Sequence, residues 1–212
     1  MYRFSFFTIA LTLLLTSCSK SDEPGNLQEQ QEANFYALKV GNSWSYSYFT
    51  IDHNGDLQNI GVEEDVEIVA ETVIDNETYF TVQTTTVGSC TVCDDEGVTV
   101  KKVKDSLGYL VTLEGDILFS NDNTNSYLIH ENPWGDVYGV LSADLVEVVV
   151  EAGVFTAVRN EVYAIDPNTG DPFIGKDDNL YADGIGLVKR NYHGVSSGQL
   201  ILERHLIAYQ IN

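Results

Sequence analysis

The stretch Trp44-Ser45-Tyr46-Ser47-Tyr48 decides the fold class, because large aromatic side chains alternate in it with small hydroxyl side chains. Successive side chains of a β-strand point to opposite faces of the sheet, so this alternation predicts a half-buried strand. The turn cluster Asp52-His53-Asn54-Gly55-Asp56 follows and contains Asn-Gly, the strongest short-range signal for a β-hairpin.

The return strand of this hairpin, predicted from about Gln58 to Ala70, repeats the alternation. One face carries apolar residues, and the other face carries acids: Val62, Val66, Ile68 and Ala70 against Glu63, Asp65 and Glu67. Such a pattern is typical of an antiparallel sheet that packs one face on a core and exposes the other to solvent.

Short segments rich in β-branched and aromatic residues continue to the end of the chain. The predicted strands are Thr78–Val87, Val98–Lys104, Tyr109–Leu113, Ile117–Phe119, Ser126–His130, Leu145–Val150, Val154–Ile165, Leu180–Ala182, Ile185–Tyr192 and Leu200–Ile211. Only the last also fits a helical period, and we predict a strand there. About ten strands joined by short turns predict an all-β or mainly β domain: one large curved antiparallel sheet forming an open or half barrel, with short helices at most and a sandwich as the alternative.

The N-terminal residues predict export and lipidation. Arg3 and an apolar run precede Leu15-Thr16-Ser17-Cys18, which has the pattern of a bacterial lipobox. We therefore predict a signal peptide over residues 1–17 and an acylated Cys18; an ordinary signal peptide is the alternative. Residues 18–33 are polar and predict a flexible acidic tether, and residues 34–212 predict a single antiparallel β domain.

Lipidation predicts attachment to the outer membrane of a Gram-negative bacterium through the acyl chains. The acids of Ser21-Asp22-Glu23 resemble a signal for transfer to the cell surface, although any linker of an acidic protein contains acids. The formal net charge of −21 argues against a nucleic-acid partner, since such a surface repels phosphates.

Cys90-Thr91-Val92-Cys93 is the most specific chemical feature of the predicted domain. Two cysteines at this spacing in an exported protein favour a local disulfide. Free thiols, a metal site and a redox pair are the alternatives, and the acids that follow Cys93 disfavour a reactive thiolate.

Three further sets of residues are candidates for binding or catalysis. Trp44, Trp134 and Tyr138 are candidate contacts for a glycan or an apolar ligand, against burial in a core. Oxygen-rich turns offer candidate Ca²⁺ ligands at Asp52, Asn54, Asp56, Asp166 and Asp171, against solvated acidic loops. Gly194-Val195-Ser196-Ser197-Gly198 matches the serine hydrolase elbow, but a Gly/Ser turn is favoured because no strand–turn–helix context surrounds it.

Three segments together resemble a family of bacterial lipoproteins with VGNxWxY, AGxFxxV and GxGLVK patterns. They are Phe35–Tyr46, Val150–Val158 and Tyr181–Lys189. The resemblance implies a mostly antiparallel β domain, similar to the curved half-barrel of the periplasmic lipoprotein carriers, and it implies no catalytic residues.

The leading functional hypothesis is therefore a non-enzymatic, membrane-anchored lipoprotein that binds an unknown protein, glycan or lipid, without a cofactor other than the candidate Ca²⁺. The alternative is a carrier of an apolar ligand such as a lipid inside the curved sheet. It predicts a cavity with apolar walls, whereas a plain interaction module would have that space filled. A hydrolase is the third hypothesis.

Overall fold

The computed structural model describes residues 34–212, which contain twelve β-strands in one antiparallel sheet. The predicted signal peptide, the tether and Cys18 lie outside the described residues. The strands are β1 (Ser43–Ile51), β2 (Leu57–Ile74), β3 (Glu77–Val87), β4 (Gly97–Ser106), β5 (Tyr109–Thr112), β6 (Ile117–Ser120), β7 (Tyr127–His130), β8 (Asp136–Val150), β9 (Gly153–Ile165), β10 (Pro172–Ala182), β11 (Gly186–His193) and β12 (Leu200–Gln210).

The strand order is β6-β5-β4-β3-β2-β1-β12-β11-β10-β9-β8-β7, so every pair except β1–β12 is also adjacent in sequence. The sheet curls into a nearly closed barrel whose two edge strands, β6 and β7, come together. Tyr127 joins them: its hydroxyl accepts from the Ser120 backbone N–H at 3.2 Å and donates to Asn160 Oδ1 at 2.8 Å.

The predicted fold class is confirmed. The last segment is strand β12 and not a helix, and the sheet continues further around than the half-barrel that the resemblance implies. The prediction missed the first half of β8, where Gly139 interrupts the apolar pattern, and it began the next-but-one strand, β10, at Leu180 instead of Pro172. A Cβ atom at Gly139 would lie 2.6 Å from the Tyr127 ring, so the glycine makes room for the residue at the seam.

One end of the barrel is filled by the segment that precedes β1. Phe35 and Tyr36 are buried there, and the Tyr36 hydroxyl donates to the Gly108 carbonyl at 2.5 Å. The Trp44 indole N–H donates to the Ile185 carbonyl at 2.7 Å. Phe119 is fully buried against this plug, with its ring centroid 3.9 Å from that of Tyr181. We call this region the plugged end.

The other end of the barrel carries most of the longer loops: 52–56, 88–96, 131–135, 166–171 and 194–199; loop 121–126 lies at the plugged end. This placement follows from the antiparallel order, because β1 starts at the plugged end and each following strand reverses direction. We call it the mouth. Residues 34–212 include no helix of the length and hydrophobicity needed to cross a membrane.

Candidate functional site

The barrel interior is not filled. A cavity of about 340 Å³ lies inside it, within the size range of small-molecule sites. Its plugged-end side is apolar, and its rim toward the mouth includes Thr84, Asp94 and Lys101. Apolar and aromatic side chains supply most of the remaining lining: Phe35, Leu38, Trp44, Val66, Ile68, Val82, Val103 and Leu110.

A row of inward polar residues crosses the sheet above this apolar floor. Consecutive members lie on neighbouring strands, and most are direct cross-strand partners. We call this row the polar belt; its members are Thr86, Glu64, Tyr48, Arg204, Arg190, Asn179 and Asn160. Thr86, Glu64, Asn179 and Asn160 are each at most 6% exposed, so the belt belongs to the interior of the barrel.

Glu64 and Arg204 form the ionic centre of the belt. Arg204 Nη2 lies 2.6 Å from Glu64 Oε2, and the Tyr48 hydroxyl donates to Glu64 Oε1 at 2.5 Å. The Arg204 guanidinium also stacks 3.7 Å from the centre of the Tyr46 ring, a cation–π contact. Glu64 is therefore held from two sides, and Arg204 is held over an aromatic face.

Arg190 is the second inward cation and lies directly opposite Arg204 in the β11–β12 pair. Arg190 Nη2 donates to Asp177 Oδ2 at 3.1 Å, and the guanidinium lies 4.3 Å from the Tyr192 ring centre. Like charges directly opposite each other destabilise a strand pair unless other groups compensate. Here each arginine points toward its own carboxylate.

Burial raises the pKa of Tyr46 to about 12, although the Arg204 charge lowers it in part. Burial likewise raises the pKa of Tyr48. Burial lowers the pKa of Arg204, but the neighbouring Tyr46 and Glu64 outweigh this effect and raise it overall. The two hydroxyls stay neutral and the guanidinium stays charged, so these three groups supply hydrogen bonds and fixed charge and do not titrate near pH 7.

A second cavity of about 620 Å³ opens toward the mouth. It shares four lining residues with the first cavity: Leu118, Asn179, Arg190 and Tyr192. Asn179 is 6% exposed, and its Oδ1 has no hydrogen-bond partner among the described residues. Two belt residues, Asn179 and Arg190, thus lie at the boundary between the two cavities.

The loop with Cys90 and Cys93 covers the belt from the mouth. The two residues form the predicted disulfide, with their Cα atoms 5.2 Å apart. Both cysteines pack in the cluster of Tyr48, Val62 and Leu202, with Tyr192 alongside. Within the same loop Asp94 lines the first cavity and Val92 the second, so the disulfide holds together a cover over both.

The aromatic candidates are in different places. Trp44 lines the first cavity from the plugged end, and Trp134, 49% exposed, lines the second at the mouth. Tyr138 lines neither cavity, but its ring centroid lies 5.9 Å from that of Tyr163, which contributes to the lining of the second. Successive side chains of a strand point to opposite faces, so Tyr138 points outward because its neighbours Val137 and Gly139 are buried.

The oxygen-rich turns use their carboxylates for their own backbone. Asp52 Oδ1 accepts from the N–H groups of Asn54 and Asp56 at 2.8 and 3.0 Å. Asp166 Oδ1 accepts from the Asn168 N–H at 2.8 Å, and Asp171 lies in the same loop. Within residues 34–212 no three His, Cys, Asp or Glu side chains are grouped to hold a metal ion. Calcium binding at these turns stays a prediction.

The sequence around Ser196 forms the β11–β12 loop, where the N–H groups of Ser197 and Gly198 donate to the Gly194 carbonyl. Ser196 is exposed and a strand follows it, so the surroundings differ from the strand–turn–helix elbow of hydrolases. His205 lies on the outer face and pairs with Glu203 at 2.7 Å.

The candidate site residues that sequence reasoning missed are the charged and amide members of the polar belt. A signal for them was present: Glu64 stands between Val62 and Val66 at period two, and Arg204 stands between Leu202 and Leu206. Burying a charged side chain on an otherwise apolar face costs free energy unless the charge is paired, so such a position in the sequence indicates a partner inside the barrel.

No protein-family model matches the sequence, and no curated protein matches it. The fold is similar to that of a candidate lipoprotein from Parabacteroides distasonis, with a TM-score of 0.51, and of a candidate exported protein with a YmcC-like fold from Bacteroides fragilis, with a TM-score of 0.50. Each alignment has 12% identity and covers 84% of this chain and 99% of the other, which shows the fold alone. The motif resemblance stays a prediction; its three segments meet at the plugged end.

Proposed function

We propose that this protein is an exported lipoprotein that binds a small apolar or amphipathic molecule inside its barrel and catalyses no reaction. The observation that carries the proposal is the unfilled cavity of about 340 Å³ with an apolar floor. An interaction module that used only its outer surface would have no need for this space, and filling it would stabilise the fold. The cavity therefore favours the carrier hypothesis over the plain interaction module.

The lipobox and the described lipoprotein and exported protein of similar fold support membrane anchoring of this chain through Cys18. The outer membrane of a Gram-negative bacterium is the proposed location. A binding protein held there meets lipids and other amphipathic molecules at high local concentration, which suits a cavity that is apolar on one side and polar on the other.

Native mass spectrometry and tryptophan fluorescence test this function on the chain from Ser19 onward, which retains the whole barrel. The chain has two tryptophans, so Trp134→Phe leaves Trp44 as the reporter inside the cavity. The probes are laurate, 1-dodecanol and dodecyltrimethylammonium. We expect saturable binding of at least one probe, with a change in Trp44 emission and an adduct that disappears on denaturation.

Matched variants locate the bound probe. Val82→Phe adds a ring inside the cavity, and Val100→Phe adds the same ring on the outer face, where Val100 is 57% exposed. We expect the first variant to weaken binding and the second to leave it unchanged. Failure of all three probes to bind, or equal binding by the two variants, would contradict the proposed function.

A further inference from the structure

We propose that the ligand is an amphipathic anion whose head binds the polar belt at Arg190 and Arg204 while its apolar chain extends to the plugged end. This inference rests on the proposed function and adds the chemical class of the ligand. It follows from which polar groups of the belt already have partners and which do not.

Each carboxylate oxygen of Glu64 and Asp177 already has one donor. Glu64 receives the Tyr48 hydroxyl on one oxygen and Arg204 on the other. Asp177 receives Arg190 on Oδ2 and the backbone N–H of His193 on Oδ1, at 2.8 Å. Each of the four carboxylate oxygens already has a donor, and each acid is paired with an arginine, so a cationic head would compete with Arg190 and Arg204 for these two side chains.

The arginines, in contrast, have donors to spare. A guanidinium carries five N–H groups, and each arginine uses one nitrogen on its carboxylate. Arg190 Nε and Arg204 Nε are buried without a hydrogen-bond partner among residues 34–212. Asn160, fully buried on the same belt, also has an unpaired Nδ2. Arg190 and Arg204 line the first cavity, and their two unpaired N–H donors match an acceptor-rich head such as a carboxylate. The unpaired acceptor of the same belt, Asn179 Oδ1, carries no charge.

The position of the belt along the barrel fits a molecule with one polar end. Arg190 and Arg204 line the first cavity together with the apolar floor of Leu38, Trp44 and Ile68. A chain that lies against this floor is removed from water, and its head reaches the belt where the arginines stand opposite each other.

The first test compares the three probes on the unmodified chain from Ser19 onward, by titration of tryptophan emission at neutral pH. Laurate, 1-dodecanol and dodecyltrimethylammonium share one alkyl chain and differ in the head. We expect laurate to bind at least about tenfold more tightly than 1-dodecanol, because charge-assisted hydrogen bonds are about twice as strong as neutral ones. We expect the cationic probe to bind most weakly.

The outcomes separate the two proposals. Equal affinities for laurate and 1-dodecanol would overturn the anion proposal and leave the proposed function intact. Tighter binding of the cationic probe would also overturn it, since the belt would then act through its acids. If no probe binds, the proposed function and this inference fail together.

The second test changes the belt and keeps the net charge constant. The double variant Arg190→Gln/Asp177→Asn removes an ion pair inside the barrel, and Arg159→Gln/Asp178→Asn removes one on the outer face, where Arg159 Nε lies 3.7 Å from Asp178. We expect the inner variant to bind laurate about tenfold more weakly and 1-dodecanol as before. Retained 1-dodecanol binding shows that the inner variant is folded; retained laurate affinity in it would overturn the proposal.

Discussion

The plugged end and the polar belt are built from the same alternating strands, yet their interiors differ. At the plugged end, Phe119 is fully buried and packs against three aromatic rings: Phe35, Tyr36 and Tyr181. At the belt, Glu64, Arg204 and Arg190 take inward positions beside open space. The difference shows that the barrel is closely packed around Phe119, whereas open space remains beside the charged residues of the belt.

The largest loss of stability is expected from a variant that disrupts the packing of the plugged end. Phe119→Ala removes a fully buried ring and leaves a cavity, so we expect the free energy of unfolding to fall by about 3–5 kcal/mol. Urea denaturation followed by circular dichroism measures it. Val149→Ala is the control, because Val149 is 67% exposed and should change stability by less than about 0.5 kcal/mol. A loss of under about 1 kcal/mol for Phe119→Ala would show that the plugged end is not the packed core.

The next effect concerns the belt. Glu64→Gln keeps the shape of the side chain but leaves Arg204 without its carboxylate, and breaking a buried pair costs about 3–5 kcal/mol. Because a cavity beside Arg204 admits water, we expect a smaller loss, about 2 kcal/mol. Glu161→Gln is the matched control on the outer face. Lys176 Nζ lies 2.7 Å from Glu161 Oε1, and the lysine side chain is 45% exposed. Exposed ion pairs contribute about 0–1 kcal/mol to stability. Equal losses for the two variants would contradict a buried belt.

A third effect concerns the cover over the belt. Cys90→Ser/Cys93→Ser opens a small ring, and chain-entropy arguments give about 2 kcal/mol or less for such a loop. We expect a modest loss of stability together with faster hydrogen exchange confined to the loop 88–96. Exchange that also rises at the plugged end would show that the disulfide supports the whole barrel and not the cover alone.

The smallest expected effect is a pH dependence at Tyr46. Its hydroxyl donates to the Leu187 carbonyl at 2.9 Å, so Tyr46→Phe should lower stability at pH 7 by about 1 kcal/mol. Burial raises the folded-state pKa of Tyr46 to about 12. The unfolded chain therefore ionises first, and the stability linked to the neutral hydroxyl is complete below pH 10 and decreases as the pH rises through 12.

We accordingly expect the stability difference between the unmodified protein and Tyr46→Phe to shrink between pH 10 and pH 12. Urea denaturation at each pH measures this difference. A constant difference across that interval would mean that Tyr46 titrates equally in the folded and the unfolded chain.

Much of the fold was predictable because hydrophobic periodicity is a local signal. The alternation in Trp44–Tyr48 and the Asn54-Gly55 turn predict the first hairpin, and β1 and β2 form it with a turn over residues 52–56. The Cys90–Cys93 spacing predicts the disulfide that the structure contains. The first half of β8 was missed because the reason for Gly139 is the ring of Tyr127, a neighbour from another strand.

The sequence by itself determined most of the strands, the inward face of β1 and β2, the local disulfide and the lipidation signal, because each depends on residues close together in the chain. Only the tertiary structure decided that Glu64, Tyr48, Arg204, Arg190, Asn179 and Asn160 form one belt. These residues come from strands far apart in sequence, and strand register brings them to one level. The physical reason is that local alternation sets which way a side chain points, whereas the curl and register of the whole sheet set what it meets.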